Sequence, residues 1–101
     1  MPIYHEICGI EELDEGKGRA FEVDGVAVAL YRVAETVHAL SGRCPHAAGA
    51  MGRGWLEEGE AVCPLHRWRF RLTTGRCTTM PGERISVYPC EIRDGRVWVG
   101  L

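Results

Sequence analysis

Short apolar runs separated by turn residues recur along this chain, and nowhere does a helical apolar spacing persist over ~11 residues. Ala20-Phe-Glu-Val-Asp24 and Val26-Ala-Val-Ala-Leu-Tyr-Arg32 flank Asp24-Gly25. Glycine accepts the positive φ of a tight turn, so this stretch predicts a β-hairpin. Glu91-Ile-Arg93 and Arg96-Val-Trp-Val99 flank Asp94-Gly95 and predict a second. Thr36-Val-His-Ala-Leu40 and Arg84-Ile-Ser-Val-Tyr88 read as further strands, rich in β-branched and aromatic residues. One short helical turn is expected around Ile10-Glu-Glu-Leu13. The pattern predicts an all-β chain.

Between about Arg43 and Pro81 the texture changes. Gly42, Gly49, Gly52, Gly54 and Gly59, with Pro45 and Pro64, predict a loop-rich insert held at both ends by strands, where a site usually sits. With 101 residues the chain has room for one domain, 1–101. No stretch approaches the ~18 unbroken apolar residues of a membrane helix. The N-terminus lacks a basic start followed by an apolar run, so a cytoplasmic location is expected. A net charge of −2 makes no general case for nucleic acid or a membrane surface as partner. Its distribution is uneven: from Arg43 to Arg76 six arginines face three glutamates, leaving a basic insert on an acidic remainder.

Five cysteines is an odd number, and without a secretory leader disulfides are not expected. Two of them alternate with histidines, in Cys44-Pro45-His46 and Cys63-Pro64-Leu65-His66. Each arm puts a thiolate and an imidazole within a few residues, and proline biases the preceding cysteine toward extended backbone. Zinc fingers tend to pair Cys with Cys and His with His along the chain, and the Cys-x-His arm is too tight for that spacing. Two mixed arms suit two metals, with both thiolates on one iron and both imidazoles on the other. A structural zinc domain stays as an alternative. Cys8, Cys77 and Cys90 show no partner pattern and read as small packed side chains. His5 and His38 read as isolated strand residues, and Trp55 and Trp98 as packing.

With these residues in view, the sequence resembles the Rieske family. That family has Cys-x-His, a spacer of about this length, then Cys-x-x-His, and Trp68-Arg-Phe70-Arg-Leu72-Thr-Thr-Gly75 resembles the tail of its ferredoxins. The resemblance runs from Ile3 to Val99. It implies three stacked antiparallel sheets and a cluster-binding subdomain at about 43–81. It also implies a 2Fe-2S cluster on Cys44, His46, Cys63 and His66, with Pro81 in a third loop beside it. The implied role is a one-electron carrier, not an enzyme in itself, with no catalytic residues. Its partners would be a reductase donor and an oxygenase or reductase acceptor. Apart from the resemblance, a monomer is expected. The small Rieske subunit of an assimilatory nitrite reductase is the alternative.

The resemblance also marks departures. Ala48 stands where the family often has Gly, Met51 where Leu is common, Arg67 where Gly usually follows the second His, and Arg71 where Asp is frequent. The cytochrome bc-type members carry a disulfide whose positions match Gly49 and Leu65 here, and Ser and Tyr hydroxyls whose positions match Trp68 and Phe70. Hydrogen bonds to sulfur stabilise the reduced cluster, so their loss implies a potential at the low end of the family's range.

Overall fold

The computed structural model describes residues 1–45 and 49–101; His46, Ala47 and Ala48 lie outside the described residues. The described chain forms three antiparallel sheets. In the first, β1 (Tyr4–Gly9) pairs with β10 (Arg96–Gly100), which pairs with β9 (Cys90–Arg93). The second runs in the order β2 (Gly18–Val23), β3 (Val26–Val33), β4 (Thr36–Ser41) and β8 (Val87–Tyr88). The third joins β5 (Trp55–Glu57), β6 (Glu60–Val62) and β7 (Arg69–Arg71).

Both expected hairpins are present. Asp24 and Gly25 have φ of 50° and 80°, and Asp94 and Gly95 have 50° and 74°. Positive φ at both central residues matches the twist of the flanking strands. The expected helical turn is a 3₁₀ turn at Ile10–Glu12, where the Glu12 carboxylate accepts the Gly9 N–H at 2.8 Å.

β3 explains how the sheets stack. Val28, Ala29, Leu30 and Tyr31 are all buried, because successive side chains point to opposite faces and both faces are covered. Val28 and Leu30 pack with Cys8, Leu13, Val37, Ala39, Val97 and Val99. Ala29 and Tyr31 pack on the other side with Leu40, Cys44, Met51, Cys63 and Phe70. The second sheet is therefore the middle layer of the three stacked sheets.

The insert is more regular than its glycines suggest. Three strands of three residues lie within it, each too short to show an alternating pattern. Glu58 and Gly59, with φ of 52° and 77°, turn β5 into β6 as Asp-Gly does elsewhere. Among the described residues no helix is long and apolar enough to cross a membrane.

Candidate metal centre

A backbone hydrogen bond closes the base of each Cys-His segment. The Cys44 N–H donates to the Gly49 carbonyl at 2.8 Å, and the Cys63 N–H donates to the Trp68 carbonyl at 2.8 Å. Both cysteines sit at the base of their loops and are buried, at 2% and 0% exposure. His66, at the turn of the second loop, is exposed. His46 of the first arm lies outside the described residues.

The arms meet at Gly49. A Cβ on this residue would lie 2.7 Å from Cys63 Sγ, 3.1 Å from Leu65 Cβ and 3.6 Å from Cys44 Cβ. With this backbone a side chain here would press on the Cys63 sulfur and on Leu65, and glycine leaves that space open. Two buried thiols at one meeting point, with an exposed imidazole on the same loop, form a donor set that suits an iron–sulfide group.

The second arm closes through an uncommon backbone. His66 and Arg67 have φ of 67° and 59°, so two consecutive non-glycine residues are left-handed. Such a residue costs roughly 1–2 kcal/mol relative to ordinary backbone. Arg67 thus takes up a conformation that glycine adopts freely, which gives the family's usual glycine its physical reason.

Tyr31 belongs to this centre although its sequence context marks it only as a strand residue. It is fully buried on β3, and its hydroxyl donates to the Met51 carbonyl at the start of the 3₁₀ turn Met51–Arg53. Glycines shape its bed: a Cβ on Gly18 would come within 2.9 Å of the ring, and one on Gly54 within 2.9 Å of the hydroxyl. Burial, then the nearby Cys63 and Cys44, pushes its pKa well above the ordinary tyrosine value. A phenol has one proton to donate, and here it goes to a carbonyl and not to sulfur. The Met51 carbonyl also accepts the Gly54 N–H. Tyr31→Phe should therefore lower stability by about 1 kcal/mol, read from denaturant midpoints, while leaving the visible spectrum of the bound cluster unchanged. A changed spectrum would place the hydroxyl on sulfur.

The third loop is tied to the exit of the second arm. Thr78 N–H donates to the Arg69 carbonyl, and Arg69 N–H donates to Thr79 Oγ1. Cys77 is buried beneath it and accepts the Met80 N–H at 3.3 Å, and Pro81 is exposed on its surface. Cys8 and Cys90 lie in the other core, remote from the arms. Burial pushes the Cys8 thiol up, and burial followed by Cys8 and Glu91 pushes Cys90 to about 11, so neither is a ready thiolate. His38 lines a separate cavity with Glu58 and Arg71, and burial lowers its pKa.

The arginines of the insert divide in two. Arg69 alone pairs with Glu57, Glu58 and Glu60, at 3.2, 3.2 and 3.0 Å. Among the described residues Arg43, Arg53, Arg67, Arg71 and Arg76 form no ion pair, so they carry the local positive excess. The Trp55 indole N–H, with Arg69 and Arg67 nearby, holds the Glu57 carboxyl below the usual range.

Comparison with known proteins agrees with this geometry. The family model of the Rieske-like [2Fe-2S] domain matches residues 3–100. The ferredoxin component of the naphthalene 1,2-dioxygenase system of Pseudomonas aeruginosa is 38% identical over 97 residues, covering 95% of this chain and 93% of that protein. The ferredoxin of carbazole 1,9a-dioxygenase from Nocardioides aromaticivorans superposes with a TM-score of 0.88 at 30% identity, covering 95% of each chain. A Mycobacterium tuberculosis protein assigned as an NADH-dependent nitrite reductase small subunit superposes with a TM-score of 0.91 at 28% identity, covering 100% of this chain and 96% of that one. The chain belongs to the Rieske-like [2Fe-2S] family, and it is a cluster-bearing ferredoxin that carries electrons.

Proposed function

We propose that Cys44 and Cys63 hold one iron of the cluster and His46 and His66 the other, in a single domain spanning 1–101 with its cluster-binding part at about 43–81. The observation that carries this reading is the meeting of two buried cysteines at Gly49. The cluster, when bound, supplies one-electron chemistry. The chain's own residues bury the thiolate side among Tyr31, Met51 and Phe70 and leave His66 at the surface, where a redox partner can approach.

The acceptor is an oxygenase or a related reductase, since relatives serve dioxygenase systems. Membership of a nitrite reductase, as its small subunit, is the second reading and rests on the neighbour with the highest TM-score given above. We place the protein in the cytoplasm as a monomer. Purified protein should contain about two iron and two acid-labile sulfide per chain. Trp68 and Phe70 bring no hydroxyl to sulfur, so its potential should lie near −150 mV, about the low end of Rieske centres. One zinc without sulfide would refute the ligand assignment, and a potential above about +100 mV would refute the account of the missing hydroxyls.

Arg67 follows His66 directly and is exposed, so it stands at the edge a partner must approach. Its charge steers an acidic partner and favours the reduced, more negative state. Arg67→Glu should slow electron delivery about tenfold at low ionic strength, with the defect shrinking as salt screens the contact. Unchanged rates in stopped-flow mixing at low salt would place docking elsewhere.

A further inference from the structure

Arg71, Arg76 and Arg84 converge, with Thr74, on a cavity of 460 Å³ at the side of the insert. The backbone assembles them. Arg71 N–H donates to the Arg76 carbonyl at 2.9 Å, and Arg76 forms an antiparallel bridge with Arg84. Gly75 allows this approach: its φ is 76°, and a Cβ there would lie 2.1 Å from the Ile85 carbonyl oxygen. The chain from 84 onward can therefore press against the turn and bring Arg84 into the same cavity lining as Arg71 and Arg76.

No carboxylate lines this cavity. The three neighbouring glutamates of the insert are held by Arg69, and Arg93 and Arg96 have Glu91 and Glu6 as partners. Among the described residues Arg71, Arg76 and Arg84 form no ion pair. Arg71 also lines the neighbouring cavity with Glu58 and Glu60, whose carboxylates Arg69 holds. Three like charges lining one cavity repel one another, and a bound anion would offset that repulsion. Thr74 Oγ1 accepts the Arg76 N–H at 3.2 Å, which leaves the hydroxyl proton for an anion.

The cavity lies away from the ligand arms. β7 starts beside Trp68, where the second arm closes, and Arg71 is at its other end. Across the sheet Val62, next to Cys63, pairs with Arg69, whereas Arg71 pairs with Glu60 at the turn.

We propose that Arg71, Thr74, Arg76 and Arg84 form a binding site for a di- or polyphosphate. Guanidinium groups pair with phosphate oxygens in twos, so three of them match two linked phosphates better than one. The cavity has the size of a small-molecule site, about 300–1,000 Å³, and not of a groove for a protein segment.

Titration calorimetry of the cluster-loaded protein with inorganic pyrophosphate at low ionic strength tests the site. One binding event is expected, without change in the visible spectrum. Arg76→Gln combined with Arg84→Gln should weaken it about tenfold or more. Lys17→Gln combined with Arg53→Gln removes the same charge elsewhere and should leave binding unchanged. ADP binding as tightly as pyrophosphate would identify a nucleotide as the source of the phosphates, and weaker ADP binding a free polyphosphate. Absence of binding, or a loss no greater in the Arg76/Arg84 pair than in the control pair, overturns the site.

Discussion

Gly49→Ala is expected to fold and yet to hold less than about half the normal cluster, as overpacking against a fixed group demands. The added methyl would lie 2.7 Å from Cys63 Sγ. In protein without cluster that sulfur ends a short free side chain and can rotate away. With iron bound to it, as proposed, it could not. Leu65 Cβ, at 3.1 Å on the same arm, blocks the alternative of sliding the methyl sideways. The substitution therefore acts on the loaded state and spares the strands, which iron and sulfide content and far-ultraviolet circular dichroism can separate. Full loading of the alanine variant would mean that the two arms do not converge at this residue.

Cys44→Ser or Cys63→Ser should abolish cluster assembly, because a hard hydroxyl replaces a soft thiolate at a position with no room for another ligand. Cys8→Ser, Cys77→Ser and Cys90→Ser are the matching controls. Cys8 and Cys90 lie in the core on the far face of the middle sheet. Cys77 is closer, in the same core as Cys44 and Cys63, but its sulfur accepts the Met80 N–H, a role a serine oxygen can fill. Each control should keep its cluster absorption while losing about 1 kcal/mol of stability where a hydroxyl is buried. Cluster loss in a control would mean that the thiolate ligands are misassigned.

Much of this was legible along the chain because the governing interactions are local. Asp24-Gly25 and Asp94-Gly95 declare their turns, and Cys-x-His with Cys-x-x-His supplies the donors proposed above. The Glu58-Gly59 turn is the same device in a less familiar residue, and its strands are too short to alternate. Tyr31 was invisible as a site residue because nothing near it in sequence distinguishes it; only the packing of β3 against the arms does. The arginine balance was legible as a sum but not as a pattern. Which guanidinium takes the three glutamates depends on β5, β6 and β7 lying side by side.

The closed arms have a consequence for how the protein matures. Each loop is hydrogen-bonded across its base, at Cys44 to Gly49 and at Cys63 to Trp68, by contacts local to its own arm. What remains is to hold the two bases together, across a connection of about 20 residues whose closure entropy is on the order of 3 kcal/mol. On the proposed ligand assignment the cluster would act as a cross-link between the arms as well as a redox group. Its removal should loosen the insert first, with faster amide exchange across β5 to β7, while the two remaining sheets stay protected.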